Sequence, residues 1–357
     1  SGWQPPPSAD AGSFPKDIHF CCSSFETLSN EEKRKVDELH NRLKSDNEIY
    51  RGDIKPPLPW AVSKDIHEYI NENILQHFLI ARQWNVERSY KMLSDALAWR
   101  ASRNPGQYFQ SCDESGVRLP LFGSREQELR LENEGKTGKI YLAGYDVHAR
   151  PVVIFDNACQ NTKSPHDQLD FLAWNLELAV RSLPAGRDKY VVFMHLDDFS
   201  IFNCPDFATT KETILMLTTA FPERLGHCVI FHPPGLFHTT FNLFKKLGLL
   251  DDRTCGKIVF ISGDTGTGSK NDIKLTETLG PYWRDLTGVG HPREKKGSSI
   301  GYWHEPYWRR VQGLMTEIIA SNYQKQDDSD GLPLSDTDNG YDATVSPATA
   351  TTMQEDG

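Results

Sequence analysis

The sequence predicts an α/β protein in which an all-helical N-terminal subdomain precedes a mixed β-sheet with helices packed on it. Through the first hundred residues, apolar side chains recur at helical spacing. After Gly138, short β-branched or aromatic runs alternate with amphipathic stretches, the order that a mostly parallel or mixed sheet produces. A chain of 357 residues can bury one large core, or one core with a helical subdomain and tails.

Residues 1–27 carry Pro5-Pro6-Pro7, Gly12 and serine pairs without apolar periodicity, and read as a disordered extension. Ser29 and Glu32 form a capping-box pattern ahead of Val36, Leu39 and Leu43 on one face. Pro56, Pro57 and Pro59 break the chain before a second apolar run over residues 66–84, with Ile70, Ile74, Phe78 and Leu79. Asn85 reads as the N-cap of a third helix carrying Val86, Tyr90, Leu93 and Leu97, which ends near Trp99-Arg100. The helical subdomain is placed at residues 28–115.

Strands are expected over residues 139–145, 151–156, 189–196, 227–231 and 257–262. Several are apolar at consecutive positions, which predicts strands buried on both faces. Helices are expected over 167–183, 205–220 and 236–250. The sheet domain is placed at 136–270. Trp283, Trp303 and Trp308 suggest that residues 271–323 fold back on the body. Residues 324–357 read as a disordered acidic tail: eight acidic residues against Lys325, a net of −7 that leaves −3 of the total −10 on the rest.

This charge argues against a nucleic-acid partner, which would need a basic footprint. No stretch approaches the ~18 consecutive apolar residues of a membrane span. Seven cysteines, odd in number and without a C-x-x-C pair, fit a reduced, cytoplasmic setting, and Cys228 and Cys255 fall in predicted strands as small hydrophobes. His227, His232 and Cys228 lack metal-ligand spacing, so no metal is expected. His195, despite Asp197 and Asp198 nearby, reads as a packed histidine because no serine or cysteine motif is placed to use it. Residues 263–270 lack the G-K-[ST] of a phosphate-binding loop and read as a turn.

Two groups stand out. The 236–250 helix has an unusually wide aromatic face with Lys245-Lys246 near its end, which suits a core helix or a movable cover that can dip into a bilayer interface. Glu223, Thr254 and Lys257 stand beside the last two strands. A threonine and a lysine can hold a phosphate oxygen, and a carboxylate can accept from sugar hydroxyls; a solvated charge pair is the bland alternative.

Short motifs then narrow the reading. Residues 78–86 (Phe-Leu-Ile-Ala-Arg-Gln-Trp-Asn-Val), the closing Trp99-Arg100, residues 145–152 (Tyr-Asp-Val-His-Ala-Arg-Pro-Val), the Phe-Pro-Glu-Arg-Leu-Gly turn at 221–226 and the Asp-Asp-Arg-Thr-Cys-Gly-Lys-Ile run at 251–258 resemble, in order and number, the CRAL-TRIO lipid-binding family. The resemblance spans residues 75–261 and implies a CRAL-TRIO-like sheet with helices covering an apolar lipid pocket. Its phosphatidylinositol transfer branch implies headgroup roles for Arg82, Glu223, Thr254 and Lys257. Gln83 stands where that branch has a second basic residue, which would weaken attraction for a phosphate. Tyr190 and Val192 stand where members that also carry phosphatidylcholine have serine and threonine, and Ala149 replaces a glycine, so the second lipid is expected to be a different, more apolar one. Tyr190, Val192, Phe237, Phe241, Phe244 and Leu247 are the expected pocket and gate residues.

The resulting expectation is a non-enzymatic phospholipid carrier without cofactor, transiently associated with membrane surfaces, with phosphatidylinositol as its first cargo and the second lipid open. The alternatives are a lipid-responsive scaffold that binds a protein partner through its tails, and a carrier of retinoid-, tocopherol- or sterol-like molecules.

Overall fold

Local capping fixes where the first helices begin. In the computed structural model, which describes residues 28–51, 70–110, 120–184, 186–203, 205–250, 252–291 and 302–330, the Ser29 amide donates to Glu32 Oε2 (2.8 Å) and the Glu32 amide donates to Ser29 Oγ (3.3 Å), opening α1 (Asn30–Arg51). Asn71 and Asn85 accept from the Ile74 and Arg88 amides and open α2 (Glu72–Ala81) and α3 (Val86–Arg103). The α2 chain stops short of the expected Trp84 because Gln83 and Trp84 take positive φ (53° and 60°). The α3 helix continues past Arg100 to a left-handed cap at Asn104. Leu39, Leu75, Phe78, Leu79, Leu93 and Leu97 make the shared core of these three helices, each at most 1 % exposed. The proposed extension at 1–27 and the tail beyond 330 lie outside the described residues.

An unexpected helix, α4 (Arg125–Gly135), precedes the sheet. Its only apolar side chains are Leu129 and Leu131, and Leu131 alone is buried, so no apolar stripe marks it in the sequence.

Five strands, β1 (Ile140–Tyr145), β2 (Pro151–Asp156), β3 (Tyr190–His195), β4 (Leu225–Phe231) and β5 (Ile258–Ile261), pair in chain order. Only β1 and β2 are antiparallel; the rest run parallel, which makes the sheet mixed. The β1–β2 turn is built on Asp146, whose Oδ1 accepts from the His148 and Arg150 amides while Oδ2 accepts from Arg150 Nε (2.7 Å). Ala149 there has φ 57°, a conformation that favours glycine.

The two faces of the sheet differ. Side chains alternate along each strand, so Val191, Phe193 and His195 share one face. That face is covered at its centre: Phe193 and Ile261 are fully buried and Trp283 of α10 (Trp283–Thr287) packs 6.5 Å from Phe231, while His227 and Val259 toward its edge stay partly exposed. His195 is packed there as expected, its Nε2–H donating to the Thr287 carbonyl (2.7 Å). On the opposite face the cross-strand rows are Val192–Cys228–Ile258 and Met194–Ile230–Phe260. Cys228, Met194, Ile258 and Phe260 remain partly exposed. The expectation of strands buried on both faces therefore fails for the first half of β4 and for β5, where Ile261 alone is buried, because the described residues cover these edge positions only in part.

Connections between strands supply α5 (Pro165–Arg181), α6 (Phe207–Leu215), α7 (Gly235–Lys246) and α8 (Asp252–Gly256). A π-helical turn over Met216–Ala220 follows α6. Cys255 lies in α8, not in a strand as expected, since the chain turns once more before β5 begins at Ile258. After α9 (Lys270–Leu279) and α10, α11 (His304–Asp330) runs seven residues beyond the expected end of order at 323. Its Trp308 stacks on Phe122 (5.3 Å, 3°) and its Tyr307 hydroxyl accepts from the Leu142 amide (3.1 Å). Trp283 and Trp308 are buried; Trp303 stays 36 % exposed.

The helical subdomain meets the sheet domain through a buried ion pair. Arg100 of α3 donates twice to Glu177 Oε2 of α5 (2.7 and 3.1 Å), and Arg181 donates to Glu177 Oε1 (2.8 Å). Burial favours the protonated carboxyl, yet the two guanidiniums hold Glu177 below its ordinary value. Removing one partner strands a buried charge, so Glu177→Ala is expected to lower unfolding free energy by about 3–5 kcal/mol. The paired apolar variant Arg100→Met with Glu177→Leu is expected to lose much less, as read in urea titrations.

Candidate functional site

The turn over residues 221–226 is anchored from below. Phe221 is 4 % exposed, meets Trp99 edge-on at 6.0 Å, and lies 5.8 Å under the Arg100 guanidinium. This fixes Glu223, which sits at φ 56° with its carbonyl accepting from Lys189 Nζ (3.0 Å). Strain of this kind concentrates where geometry serves a site. Gly226 passes so close to Tyr190 O and Arg150 Nη1 that an added Cβ would lie 3.2–3.3 Å from them.

The Glu223 carboxylate then faces two cations. Lys257 Nζ lies 3.2 Å from Oε2, and Arg253 Nη2 lies 3.3 Å from Oε1. Arg253 also donates through Nη1 to the Ile80 carbonyl at the end of α2 (2.9 Å). The Lys257 amide donates to the Thr254 carbonyl (3.0 Å), which closes α8 and sets Lys257 at the start of β5. Glu223, Thr254 and Lys257 are thus brought together, and Arg82 follows Ile80 by two residues, its guanidinium donating to the Ala81 carbonyl (3.0 Å). Arg253 was missed in the sequence: a charged residue inside a presumed strand start gave no reason to single it out.

Helix α7, expected to act as a gate, is amphipathic but poorly covered. Leu236, Leu243 and Leu247 are 45–53 % exposed, and only Phe244 is buried. Phe241 meets Phe260 at 5.4 Å and Phe244 stacks on Phe207 of α6 at 5.9 Å, while Phe237 is half-buried. Lys245 pairs with Asp252 of α8 (3.1 Å). Tyr190 and Val192, expected to line a pocket, are packed at 1 % and 5 % exposure; alternation places both on the face toward Phe260. Burial raises the Tyr190 phenol well above its ordinary value and pushes the Cys228 thiol up to about 12, so neither ionises at neutral pH. The apolar rows beneath α7 therefore end at the charged cluster of Glu223, Arg253 and Lys257.

One group with metal-like donors, His166, Asp167 and Asp170, was not anticipated. Arg130 already occupies it, donating to Asp167 (2.6 Å) and Asp170 (3.1 Å), with Arg103 on the other Asp170 oxygen (2.7 Å). A guanidinium does there what a cation would. The 263–270 segment is a turn closed by its own side chains: Asp264 accepts from the Gly266 amide and Asp272 from the Gly268 amide.

The CRAL/TRIO domain model matches residues 135–277, and the CRAL/TRIO N-terminal domain model matches residues 35–95. The chain belongs to the CRAL-TRIO family. Among relatives of this CRAL-TRIO chain, a CRAL-TRIO domain-containing protein of Schizosaccharomyces pombe is 26 % identical over 252 residues, covering 69 % of this chain and 21 % of that protein. The phosphatidylinositol transfer protein PDR17 of Saccharomyces cerevisiae is 27 % identical over 200 residues, covering 54 % of this chain and 53 % of PDR17. The phosphatidylinositol transfer protein SFH5 of Meyerozyma guilliermondii is 24 % identical over 266 residues, covering 69 % and 76 %. The chain spans between a fifth and about half of the length of the first relatives it matches. A solved structure of Sfh5 overlays 85 % of this chain and 99 % of its own at 16 % identity and a TM-score of 0.49. Among the described residues no helix is long and apolar enough to cross a membrane.

A titratable contact adjoins the site. His77 of α2 is buried, its Nε2 is 3.3 Å from Asp188 Oδ2, and its Nδ1 has no hydrogen-bond partner among the described residues. Burial holds the imidazole below its ordinary 6.5, against the pull of Asp188. Burial and Arg150 lower His227 in the same direction. The unfolded chain then binds more protons at mildly acid pH, so stability is full above about pH 6.5 and falls as pH drops below it. The thermal midpoint of the native chain is expected to fall in that window, and His77→Gln, which keeps a donor to Asp188, is expected to flatten the profile.

Proposed function

We propose that the protein is a carrier of single lipids, phosphatidylinositol among them, that lifts its cargo from a membrane and exchanges it for a second lipid. The observation that carries this reading is an apolar sheet face left half-open beneath α7 and bordered at one end by the Glu223, Arg253 and Lys257 cluster. Acyl chains need an apolar wall, and a phosphate needs cations at its edge. The names of PDR17 and SFH5 support the choice of phosphatidylinositol.

The barrier such a carrier lowers is large. Each methylene exposed to water costs about 0.8 kcal/mol, so two acyl chains oppose extraction by roughly tens of kcal/mol. In the proposed cycle α7 acts as the gate. It turns about Gly248, whose φ of 69° suits a hinge, while its exposed leucines enter the bilayer interface and Lys245 and Lys246 meet anionic headgroups. Acyl chains slide against Val192, Cys228, Ile258 and Phe260. Arg82, Thr254 and Lys257 hold the phosphate, and Glu223 accepts from inositol hydroxyls. No covalent bond changes, so the reading assigns no catalytic group and no cofactor. Val192 has no polar atom and the Tyr190 hydroxyl is packed away at 1 % exposure, which favours an apolar second lipid.

Transfer of labelled lipid between vesicles tests the headgroup role. Lys257→Ala is expected to lower phosphatidylinositol transfer about tenfold, the scale of one charge-assisted hydrogen bond, at an unchanged unfolding midpoint. Full transfer by a folded Lys257→Ala protein contradicts the assignment. Replacing the exposed Leu243 and Leu247 with serine is expected to slow transfer of every lipid while leaving the midpoint in place; a lowered midpoint with normal transfer would make α7 a plain structural helix.

A further inference from the structure

Arg253 joins three elements with one side chain. It rises from α8, donates to the Ile80 carbonyl of α2 at 2.9 Å, and lies 3.3 Å from the Glu223 carboxylate of the 221–226 turn. Its side chain is nevertheless 48 % exposed. A guanidinium carries five N–H donors in a planar fork, and two partners leave donors for an incoming anion. The carboxylate beside it is shared with Lys257, so two cations converge on one negative group and the cluster keeps a net positive charge.

We infer that Arg253 is a ligand for the headgroup phosphate, the guanidinium that grips it on the side opposite Lys257. The inference rests on the carrier reading above and goes beyond it by assigning a residue and a geometry. The Glu223 carboxylate bridges Arg253 and Lys257, as a phosphate oxygen pair would. An arriving phosphodiester shares those two cations and releases Glu223 toward the sugar hydroxyls, so loading exchanges one bridged anion for another. The phosphodiester brings one further negative charge to a cluster of two cations and one carboxylate, and it can make the forked hydrogen bonds to arginine that the single 3.3 Å carboxylate contact does not.

The alternative is that Arg253 only ties α2 to the turn. Position 83 separates the two. The Gln83 amide donates to the same Ile80 carbonyl that Arg253 holds (3.1 Å), so residue 83 emerges beside the guanidinium and is exposed. A cation moved there can reach the same anion without rebuilding the tie.

The test uses the full chain, equilibrated with phosphatidylcholine vesicles that contain labelled phosphatidylinositol, then re-isolated for counting of captured lipid, with the unfolding midpoint read in parallel. Arg253→Gln is expected to lower phosphatidylinositol capture about tenfold and leave capture of other lipids unchanged. Arg253→Lys, which keeps the charge and loses the fork, is expected to fall between. Adding Gln83→Arg to Arg253→Gln is expected to restore most of the loss. Undiminished capture by Arg253→Gln overturns the inference, as does an equal loss of all lipids with a lowered midpoint that Gln83→Arg leaves unrepaired. Competition separates sources of the anion: soluble glycerophosphoinositol is expected to displace the lipid, whereas equal displacement by inorganic phosphate would mark a simple anion site and overturn the headgroup assignment. A native chain that captures no phosphatidylinositol under any condition removes the carrier reading itself, an outcome distinct from failure of the Arg253 variants alone.

Discussion

The buried pair of Arg100 and Glu177 is the contact on which the arrangement turns. Both side chains are at most 3 % exposed, and each offsets the cost of burying the other's charge, with Arg181 as the second partner of Glu177. The pair docks α3 on α5, and Phe221 packs against the same guanidinium. The consequence reaches the site: with α3 fixed, the end of α2 sits where Arg253 can hold the Ile80 carbonyl, and the turn after Phe221 presents Glu223 to Lys257. The charged cluster is assembled from three distant parts of the chain by a contact that touches no ligand.

The proposed carriage draws on an imbalance between the two faces of one sheet. The Phe193 face is closed by α10 and buried throughout β3, as a core face should be. The opposite face runs from the packed Val192 to the half-open Ile258 and Phe260, under a helix that buries a single phenylalanine. A protein that only needed stability would have filled that gap, since leaving leucines 45–53 % exposed forgoes apolar burial. Weak coverage is what a gate requires, because the segments that open are those with few buried contacts. The Lys245–Asp252 pair on its exposed end adds little resistance.

Much of this was legible in the sequence where the determinants are local. The Ser29–Glu32 box and the Asn85 cap act within four residues, and the structure carries both hydrogen-bond sets. Strand β2 falls on the expected residues because Pro151 starts it and the polar Asp156–Asn157 pair ends it. The failures are non-local. Helix α4 is charged nearly throughout and owes its place to Leu131 and to partners far along the chain, among them Gln312, which donates to Glu128 (3.0 Å). The exposure of Ile258 and Phe260 depends on how far α7 stands from the sheet, which no apolar run encodes. Residues Glu223, Thr254 and Lys257 stood out by chemical type beside the last two strands and drew their headgroup roles from family motifs; Arg253 lies inside one of those motifs at a position the motif leaves unspecified, so its contacts with Ile80 and Glu223 single it out.

Lipid carriage requires that the face beneath α7 hold acyl chains. The most direct measurement is mass spectrometry of lipid bound to the protein after incubation with vesicles of mixed composition and re-isolation. About one lipid per chain is expected, with phosphatidylinositol enriched over its share in the vesicles and an apolar second species beside it. A re-isolated, folded protein carrying no lipid, or lipids in the proportions of the vesicle, would contradict this expectation.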